Sequence, residues 1–320
     1  MIISHLAGGL GNQLFQYAMG RQVAKRLGAE LRLDLFSYKA DRMRRYALAA
    51  FPIAGRLATW REIYSLCPFL AISRLLPGPL YHRAWRYLGR LGVHSQCRTR
   101  IAEAAEAPAP LPLRLGNIVS ERQLTFDAEA SQCADHSFLV GWWMHERYFS
   151  DIRPELLQEM TSSSPVSVLD AGLIQRMTRE ESVALHVRRS DKVGTAYYAA
   201  TSLEYCLRAM EEMKRLLAQP RFYIFSDDPG WTRQHLASYE NVTLVTHHDW
   251  QHAHEDLRLM LACRHQIIAA SSLSWWAAWL NHSPERIVIS PPAFHWNRYP
   301  GYDTSQLLPA DWQVLDAPFD

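Results

Sequence analysis

Two short segments, far apart in the chain, combine residue types that bind anions. The first is the glycine loop Gly8-Gly9-Leu10-Gly11-Asn12-Gln13, which follows an apolar strand and opens an amphipathic run. Such a loop lets backbone N–H groups approach a phosphate, and the following helix adds about half a positive charge at its first turn. The second is His186-Val187-Arg188-Arg189-Ser190-Asp191, which also follows an apolar strand. Each of its two guanidinium groups can bind two phosphate oxygens at once.

The double arginine also admits an interpretation in which no ligand binds. Asp191 could neutralise one arginine in an ion-pair cluster, and the local sequence leaves both interpretations open. Three hydroxyls favour a phosphate site, because Ser271, Ser272 and Ser274 stand at a predicted helix start. Serines there either cap the first turn, which is the commoner use, or bind phosphate.

Acidic and histidine-rich segments follow two other predicted strands. Ser226-Asp227-Asp228 could hold a metal or contact a ribose or a guanine, and we favour sugar or base contact because adjacent aspartates on a strand point in opposite directions. The histidines of the second segment have a spacing that matches no common zinc motif. We interpret this segment as a polar loop and predict no metal site; its histidines are His247, His248, His252 and His254.

These segments depend on elements that alternate regularly along the chain. Strands are predicted near 182–187, 222–225, 242–245, 266–269 and 286–289, and helices near 203–217, 231–239, 256–263 and 273–280. This alternation predicts a doubly wound parallel sheet. Ligands of such sheets bind at the carboxyl ends of the strands, so the polar segments at 186–191, 226–228 and 271–274 should line one crevice.

The start of the chain shows the same kind of unit. A strand near 2–6, a helix and a second strand near 31–35 predict a βαβ unit, and Gly28 is a suitable helix cap. A small polar run at 162–165 ends in proline and is typical of a linker. We therefore expect two domains, over 1–165 and 166–320.

Composition narrows the class of protein. A chain of 320 residues, 48% apolar and 21% charged, suits a two-domain α/β enzyme. A net charge of +2 is too small for a nucleic-acid binder. The five cysteines show no CxxC spacing, and neither a signal peptide nor a membrane-spanning segment is evident. We expect a reduced, cytoplasmic protein, with peripheral association at the inner face of the membrane left open.

A dinucleotide-binding enzyme is the alternative that the residues leave standing. Leu14 occupies the place of the third glycine in the G-x-G-x-x-G fingerprint, yet Asp34 ends the second strand at about the ribose-binding distance. A nicotinamide- or flavin-binding oxidoreductase therefore remains possible from physics alone.

Taken in order, five segments across the whole chain resemble the bacterial α-1,2-fucosyltransferases of glycosyltransferase family 11. The glycine loop and double arginine are also similar to those of protein O-fucosyltransferases and α-1,6-fucosyltransferases. The matching segments are 8–18, Gly141 with Tyr148-Phe149, 186–191, 225–228 and 271–280.

The resemblance implies a GT-B-like fold of two Rossmann-like domains, with the active site in the cleft between them. It implies an N-terminal acceptor-side domain and a C-terminal domain that binds GDP-L-fucose. The implied reaction transfers L-fucose from GDP-β-L-fucose to O2 of galactose in an oligosaccharide acceptor, with inversion, without a metal and without a further cofactor. A non-catalytic sugar-nucleotide-binding protein is a second alternative.

Site roles also follow from the resemblance. Arg188 and Arg189 would bind the diphosphate with support from His186 and Asp191, and Asn12 would face the sugar and the acceptor hydroxyl. The remaining implied donor-binding residues are Gly9, Gly11, Ser226, Asp227, Asp228, Asp256, Ser271, Ser272 and Ser274.

The catalytic base is not evident from the residues. The amide of Asn12 cannot accept a proton as a base, and Asp191, the nearest carboxylate by motif, is expected to hold an arginine instead. Ser190 and Lys192 replace the glycine and tyrosine usual in the double-arginine motif of this family, and Met144-His145 replaces Gln-Ser. These departures leave the acceptor preference open.

Overall fold

The computed structural model describes residues 1–39, 41, 43–76, 118–121, 123–293, 296 and 303–320. The chain divides into two compact units. The first comprises Met1–Leu48, Ile53–Glu155 and Tyr299–Leu307, and the second comprises Ala49–Pro52, Leu156–Arg298 and Leu308–Asp320. The division at 155/156 lies before the predicted boundary at 165/166, and short segments from elsewhere in the chain complete each unit.

The first unit contains a five-stranded parallel sheet in the order β3-β2-β1-β5-β4. Gly28 ends the first helix in the left-handed conformation with φ of 61°, as its position predicted. The strands are β1 (Ile2–His5), β2 (Leu31–Asp34), β3 (Arg56–Leu57), β4 (Ile118–Ser120) and β5 (Ser137–Val140). The helices are α1 (Leu10–Leu27), α2 (Trp60–Leu66), α3 (Pro68–Ser73), α4 (Ala128–Ser131) and α5 (Arg153–Glu159), the last of which continues into the second unit.

The second unit contains a six-stranded parallel sheet in the order β11-β10-β9-β6-β7-β8. Its strands are β6 (Glu181–Val187), β7 (Pro220–Ser226), β8 (Val242–Val245), β9 (His265–Ile267), β10 (Val288–Ser290) and β11 (Gln313–Val314). Its helices are α6 (Val168–Arg179), α7 (Leu203–Leu216), α8 (Pro229–Leu236), α9 (Ala253–Ala262) and α10 (Ser272–Leu280). The two α/β units with parallel sheets confirm the predicted pair of Rossmann-like domains.

The core of the second unit fixes the strand ends. Val183, Leu185 and Val187 of β6 are fully buried and belong to one cluster with Tyr205 and Met213 of α7. Because β6 is the central strand and one face of α7 covers it, the chain that leaves β6 at Arg188 starts from a rigid position.

Two further expectations concern the environment of the chain. Of the helices in the described ranges, none combines the length and the apolar character needed to cross a bilayer. Cys67, Cys133, Cys206 and Cys263 are free and buried, and Cys97 lies outside the described residues. Membrane association at a surface stays a prediction.

Candidate functional site

The double arginine lies between two other polar segments at one edge of the second sheet. In β6, His186 pairs with Phe225 and Val187 with Ser226, while Leu185 pairs with Ile267 on the opposite side. The carboxyl ends of β7, β6 and β9 are therefore neighbours, as the alternation of elements predicted. Three of the predicted segments leave the sheet from these adjacent positions.

Arg188 is held as a fork between two carboxylates. Its Nη2 donates to Asp191 Oδ1 at 2.5 Å, and its Nη1 forms an ion pair with Asp227. Its side chain is 19% exposed, so the guanidinium is neither buried nor free in solvent. The backbone N–H of Arg188 donates to Thr201 Oγ1 at 3.0 Å. The ion pair between Arg188 and Asp191 is the one that the sequence allowed. The second ion pair, with Asp227, was not predicted.

Arg189 has different surroundings. It is buried, and its Nη1 donates to the Thr201 carbonyl and to Asp320 Oδ2, each at 2.5 Å. Its guanidinium carbon lies 4.3 Å from the centre of the Trp231 ring. These partners hold Arg189 within the second unit, so its predicted contact with a diphosphate competes with three existing interactions.

The two adjacent aspartates have different partners, and these partners belong to the protein. Asp227 Oδ1 accepts the Arg189 backbone N–H at 2.8 Å and Oδ2 accepts the Ser190 hydroxyl at 2.5 Å. Burial alone would raise the pKa of Asp227, yet the charge of Arg188 and the Ser190 hydrogen bond lower it. Asp228 caps α8 by accepting from the Trp231 N–H at 3.0 Å. Their contact with a nucleoside stays a prediction.

Lys192 joins the double-arginine segment to the serine segment. Its Nζ donates to the Ala270 carbonyl at 2.9 Å, directly before Ser271. Ser271 makes no side-chain capping bond at α10, Ser272 is half-buried, and Ser274 is buried and donates to the Ser271 carbonyl at 3.2 Å. Capping therefore does not explain Ser271. In the sequence, Lys192 is evident only as a departure from the family pattern. The positive charge of Lys192 next to the double arginine is the signal that could have placed it in the site.

His186 provides an uncharged side chain beneath this edge. It is buried, and its Nδ1 has no hydrogen-bond partner among the described residues. Burial lowers the pKa of His186 to about 4, against the opposing effect of the Asp227 charge. At neutral pH the ring therefore adds no charge to the arginine cluster. Its support of the arginines would be through packing.

Asp256, the last predicted donor-binding residue of this unit, belongs to a histidine cluster. Its Oδ1 lies 2.9 Å from His248 Nδ1, and burial raises its pKa. That hydrogen bond raises the pKa of His248 in turn. On its other side His248 Nε2 lies 3.4 Å from Oδ2 of Asp170, a residue of α6 to which the sequence assigned no role.

The glycine loop of the first unit is shaped around Asn12. Gly8 has φ of 78°, and a Cβ atom there would lie 2.6 Å from Asn12 Nδ2. Only glycine suits this position, and the half-buried amide of Asn12 lies against it. Gly9 is the N-cap of α1, whose first turn contains no acidic residue. The loop thus keeps the geometry that favours an anion.

Two glutamines hold the loop in place, a role that the sequence did not reveal. Gln13 Nε2 donates to the Gly8 carbonyl at 3.0 Å. Gln16 Oε1 accepts from the Ala7 N–H at 2.9 Å, and its Nε2 donates to the Gly141 carbonyl at 3.2 Å. A Cβ atom at Gly141 would lie 2.6 Å from Glu121 Cβ. These motif residues therefore serve the structure of the loop.

Asp34 does not face a ligand in the way that a dinucleotide fold requires. Its side chain is 3% exposed and pairs with Nδ1 of His5 and with Arg74. Ser37 Oγ lies 2.8 Å from His5 Nε2, which extends the same network. An acid that binds ribose must present a carboxylate oxygen to the ligand. The geometry of Asp34 therefore does not support the oxidoreductase alternative.

Comparison with known proteins agrees with the sequence motifs. The sequence model of the family described as Glycosyl transferase family 11 matches residues 118–298, more than half of the chain. The chain is 25% identical to an alpha-1,2-colitosyltransferase of Escherichia coli over 302 residues, covering 91% of both proteins. It is also 25% identical to the galactoside 2-alpha-L-fucosyltransferase Sec1 of Mus musculus over 169 residues, covering 43% of this chain and 45% of that protein.

Solved structures are similar at lower identity. The fucosyltransferase NodZ from Bradyrhizobium has a TM-score of 0.46 and 15% identity, with 86% of this chain and 91% of that chain covered. The E. coli heptosyltransferase WaaC with ADP has a TM-score of 0.42 and 10% identity, with 99% of this chain and 93% of that chain covered.

Proposed function

Because the chain belongs to glycosyltransferase family 11, we propose that it transfers L-fucose from GDP-β-L-fucose to O2 of a galactose unit in a glycan acceptor. In this proposal the linkage is α-1,2, the anomeric configuration inverts, and no metal takes part. The observation that carries it is the Arg188 fork at the carboxyl ends of three adjacent parallel strands. The mouse relative is a galactoside 2-alpha-L-fucosyltransferase, which supports both the donor sugar and the acceptor.

Arg188 would bind the diphosphate by exchanging carboxylate partners for phosphate oxygens. The guanidinium keeps its charge at any physiological pH, and the same fork geometry fits either kind of oxyanion. Asp191 is exposed, so it can turn toward solvent when a phosphate takes its place. Asp227 would keep the other side of Arg188 oriented.

Three neighbouring groups would complete the phosphate site. Lys192 places a second positive charge beside the α10 N-terminus, and Ser271 and Ser272 offer hydroxyls there. Negative charge grows on the GDP oxygen as the fucosyl bond breaks, so preorganised cations and N–H groups stabilise the transition state more than the ground state.

Asn12 would orient the acceptor hydroxyl and the sugar without acting as a base. An amide cannot take the proton, and Asp191 would turn toward solvent once the phosphate replaces it at Arg188. We propose that the fucosyl–phosphate bond is largely broken before attack. The oxocarbenium-like sugar then makes the acceptor hydroxyl acidic late in the step, so that a weak proton acceptor suffices.

Transfer of colitose is a second candidate, favoured by one observation. The alignment with the alpha-1,2-colitosyltransferase extends over 91% of this chain. Colitose is 3-deoxy-L-fucose, so the two donors differ by a single hydroxyl. A site that hydrogen-bonds this hydroxyl would reject the deoxy sugar strongly, whereas an apolar pocket would discriminate weakly.

The test is GDP release from GDP-fucose and from GDP-colitose with a panel of β-galactosides, read against a control without acceptor. We expect acceptor-dependent release with GDP-fucose and an α-1,2 linkage in the product by NMR. Faster turnover of GDP-colitose would favour the second candidate. GDP binding without turnover would indicate a binding protein, and a thermal shift with NAD alone would restore the oxidoreductase alternative.

A further inference from the structure

Three metal-binding side chains from distant parts of the second unit meet at one point. His247 Nε2 lies 2.8 Å from Asp170 Oδ1, and His248 Nε2 lies 3.4 Å from Asp170 Oδ2. The ligand atoms of all three residues lie within 4.8 Å of one another. We propose that Asp170, His247 and His248 bind a divalent transition metal of the zinc class as a structural ion.

The donor set and its spacing suit this class of metal. Two imidazole nitrogens and one carboxylate oxygen are ligands that zinc takes, whereas magnesium and calcium prefer oxygen alone. Ligand atoms about 2.1 Å from a tetrahedral zinc ion lie about 3.4 Å from one another. His248 Nε2 lies at this distance from Asp170 Oδ2, 3.4 Å, whereas His247 Nε2 lies closer to Asp170 Oδ1, at 2.8 Å.

Two of the proposed ligands are hydrogen-bonded to other side chains, as ligands in metal sites commonly are. Asp256 Oδ1 lies 2.9 Å from His248 Nδ1, so it can fix the tautomer that leaves Nε2 free for a metal. The Ser167 hydroxyl donates to Asp170 Oδ2 at 2.7 Å and orients that carboxylate. Such outer partners raise the basicity of the ligands and hold their orientation.

The charge at this point also favours a cation. Asp170 and Asp256 bring two carboxylates together, and their side chains are 3% and 22% exposed. Within the described ranges, the ion-pair contacts of both acids are with histidines and not with lysine or arginine. His247 is exposed and leaves a route for the ion and for a water as fourth ligand.

The bound metal would join two segments that the sequence separates by 77 residues. Asp170 lies in the first turn of α6, and the two histidines follow β8 almost directly. The spacing of the histidines alone predicts a polar loop, because the carboxylate ligand comes from another helix. We expect the metal to stabilise this part of the second unit.

The experiment uses the full chain after chelator treatment and dialysis. Zinc chloride is titrated by calorimetry, and cobalt chloride by visible absorption, which reports nitrogen and oxygen ligands in four-coordinate geometry. The variants are His248→Gln, His247→Gln and Asp256→Asn. His252→Gln is the matched control, because His252 is exposed and its ion pair is with Asp249. Thermal melts with and without zinc accompany each titration.

We expect one zinc ion per chain and a higher Tm with zinc. His248→Gln and His247→Gln should each weaken zinc binding at least about 100-fold, and Asp256→Asn about 10- to 100-fold. His252→Gln should bind zinc as the unaltered chain does. Absence of stoichiometric zinc binding in the unaltered chain would overturn the proposal, as would an equal loss in His252→Gln. His247→Gln changes an exposed residue, so it tests the site even if the His248 variant fails to fold.

Discussion

Oδ2 of Asp34 lies 2.6 Å from Nδ1 of His5, and both side chains are 3% exposed. Arg74 approaches the same carboxylate with two N–H groups, at 2.9 Å to Oδ1 and 2.6 Å to Oδ2. The carboxylate at the end of β2 is therefore occupied by His5 and Arg74 of the protein itself. Its task is to hold the carboxyl ends of β1 and β2 beside the glycine loop.

Replacing this acid should destabilise the first unit. Asp34→Asn leaves the mostly buried Arg74 without its counter-charge, and we expect a loss of about 3 to 5 kcal/mol in the free energy of unfolding. The measurement is urea unfolding followed by tryptophan fluorescence. Asp151→Asn, an exposed acid of the same unit, is the control and should change stability by less than about 0.5 kcal/mol. Equal midpoints for the two variants would contradict the structural role.

The same ion pair predicts a dependence on pH. Burial alone would raise the pKa of Asp34, but the His5 hydrogen bond and the charges of His5 and Arg74 lower it below its ordinary value of 3.8. The stabilisation is thus complete above pH 3.8 and is lost as the pH falls further, because the unfolded chain then takes up a proton that the folded protein does not. Asp34→Asn should flatten this acid limb of the stability curve, and an unchanged limb would argue against it.

Arg188 is expected to matter for catalysis. A charged hydrogen bond contributes about 1.5 to 3 kcal/mol, and the fork can make two of them with phosphate oxygens, so Arg188→Ala should lower kcat/KM at least about 100-fold. Arg188→Lys should also fail, because an ammonium group cannot reproduce the fork. The control is Arg208→Ala, an exposed arginine of α7 that pairs with Glu204. Activity near that of the unaltered enzyme in Arg188→Ala would exclude a diphosphate at this position.

Arg189 should behave differently, although the sequence assigned both arginines the same role. Its bonds to Thr201 and Asp320 and its stacking on Trp231 are internal, so Arg189→Lys should lower the free energy of unfolding by about 2 to 3 kcal/mol. We expect GDP affinity in the folded variant to change by less than about threefold, as measured by calorimetry. A 100-fold loss of GDP affinity at unchanged stability would instead restore the predicted diphosphate contact.

The comparison of the two arginines shows what the sequence could predict. Strands and helices over 181–290 were evident because local periodicity determines them, and the neighbouring strand ends followed from the rules of parallel sheets. Side-chain pairs that are far apart in the sequence were not evident, namely Arg189 with Asp320 and Asp170 with His247. The two-residue strand β11 was not predicted either. A side chain's partner depends on which elements the fold brings together, and local residue types do not specify it.

Turnover should persist in excess EDTA. In the proposed site, Arg188, Lys192 and the α10 N-terminus would supply the positive charge that a metal would otherwise supply to the departing GDP. Initial rates are measured well below the melting temperature, since chelation should lower stability at the histidine cluster without removing a catalytic group. Loss of activity that Mn²⁺ or Zn²⁺ restores would overturn metal-independent transfer.

Asn12 provides the sharpest test of the proposed chemistry. Its amide lies against Gly8, where a Cβ atom would be only 2.6 Å from Asn12 Nδ2. The glycine at this position therefore makes room for the amide. If that amide orients the acceptor as the donor bond breaks, its contribution belongs to the transition state and not to GDP binding. Asn12→Ala should therefore lower kcat far more than it weakens GDP affinity.

An aspartate at the same position separates orientation from proton transfer. If Asn12 only orients, Asn12→Asp should not gain a rate that rises with pH through a carboxylate pKa of about 4. The experiment measures kcat against pH for both variants and GDP affinity by calorimetry, with Gln22→Ala on the same helix as control. A kcat equal to that of the unaltered enzyme in Asn12→Ala, or a parallel loss of rate and GDP affinity, would remove Asn12 from the chemistry. A pH-dependent recovery in Asn12→Asp would show instead that a base at this position is what the reaction needs.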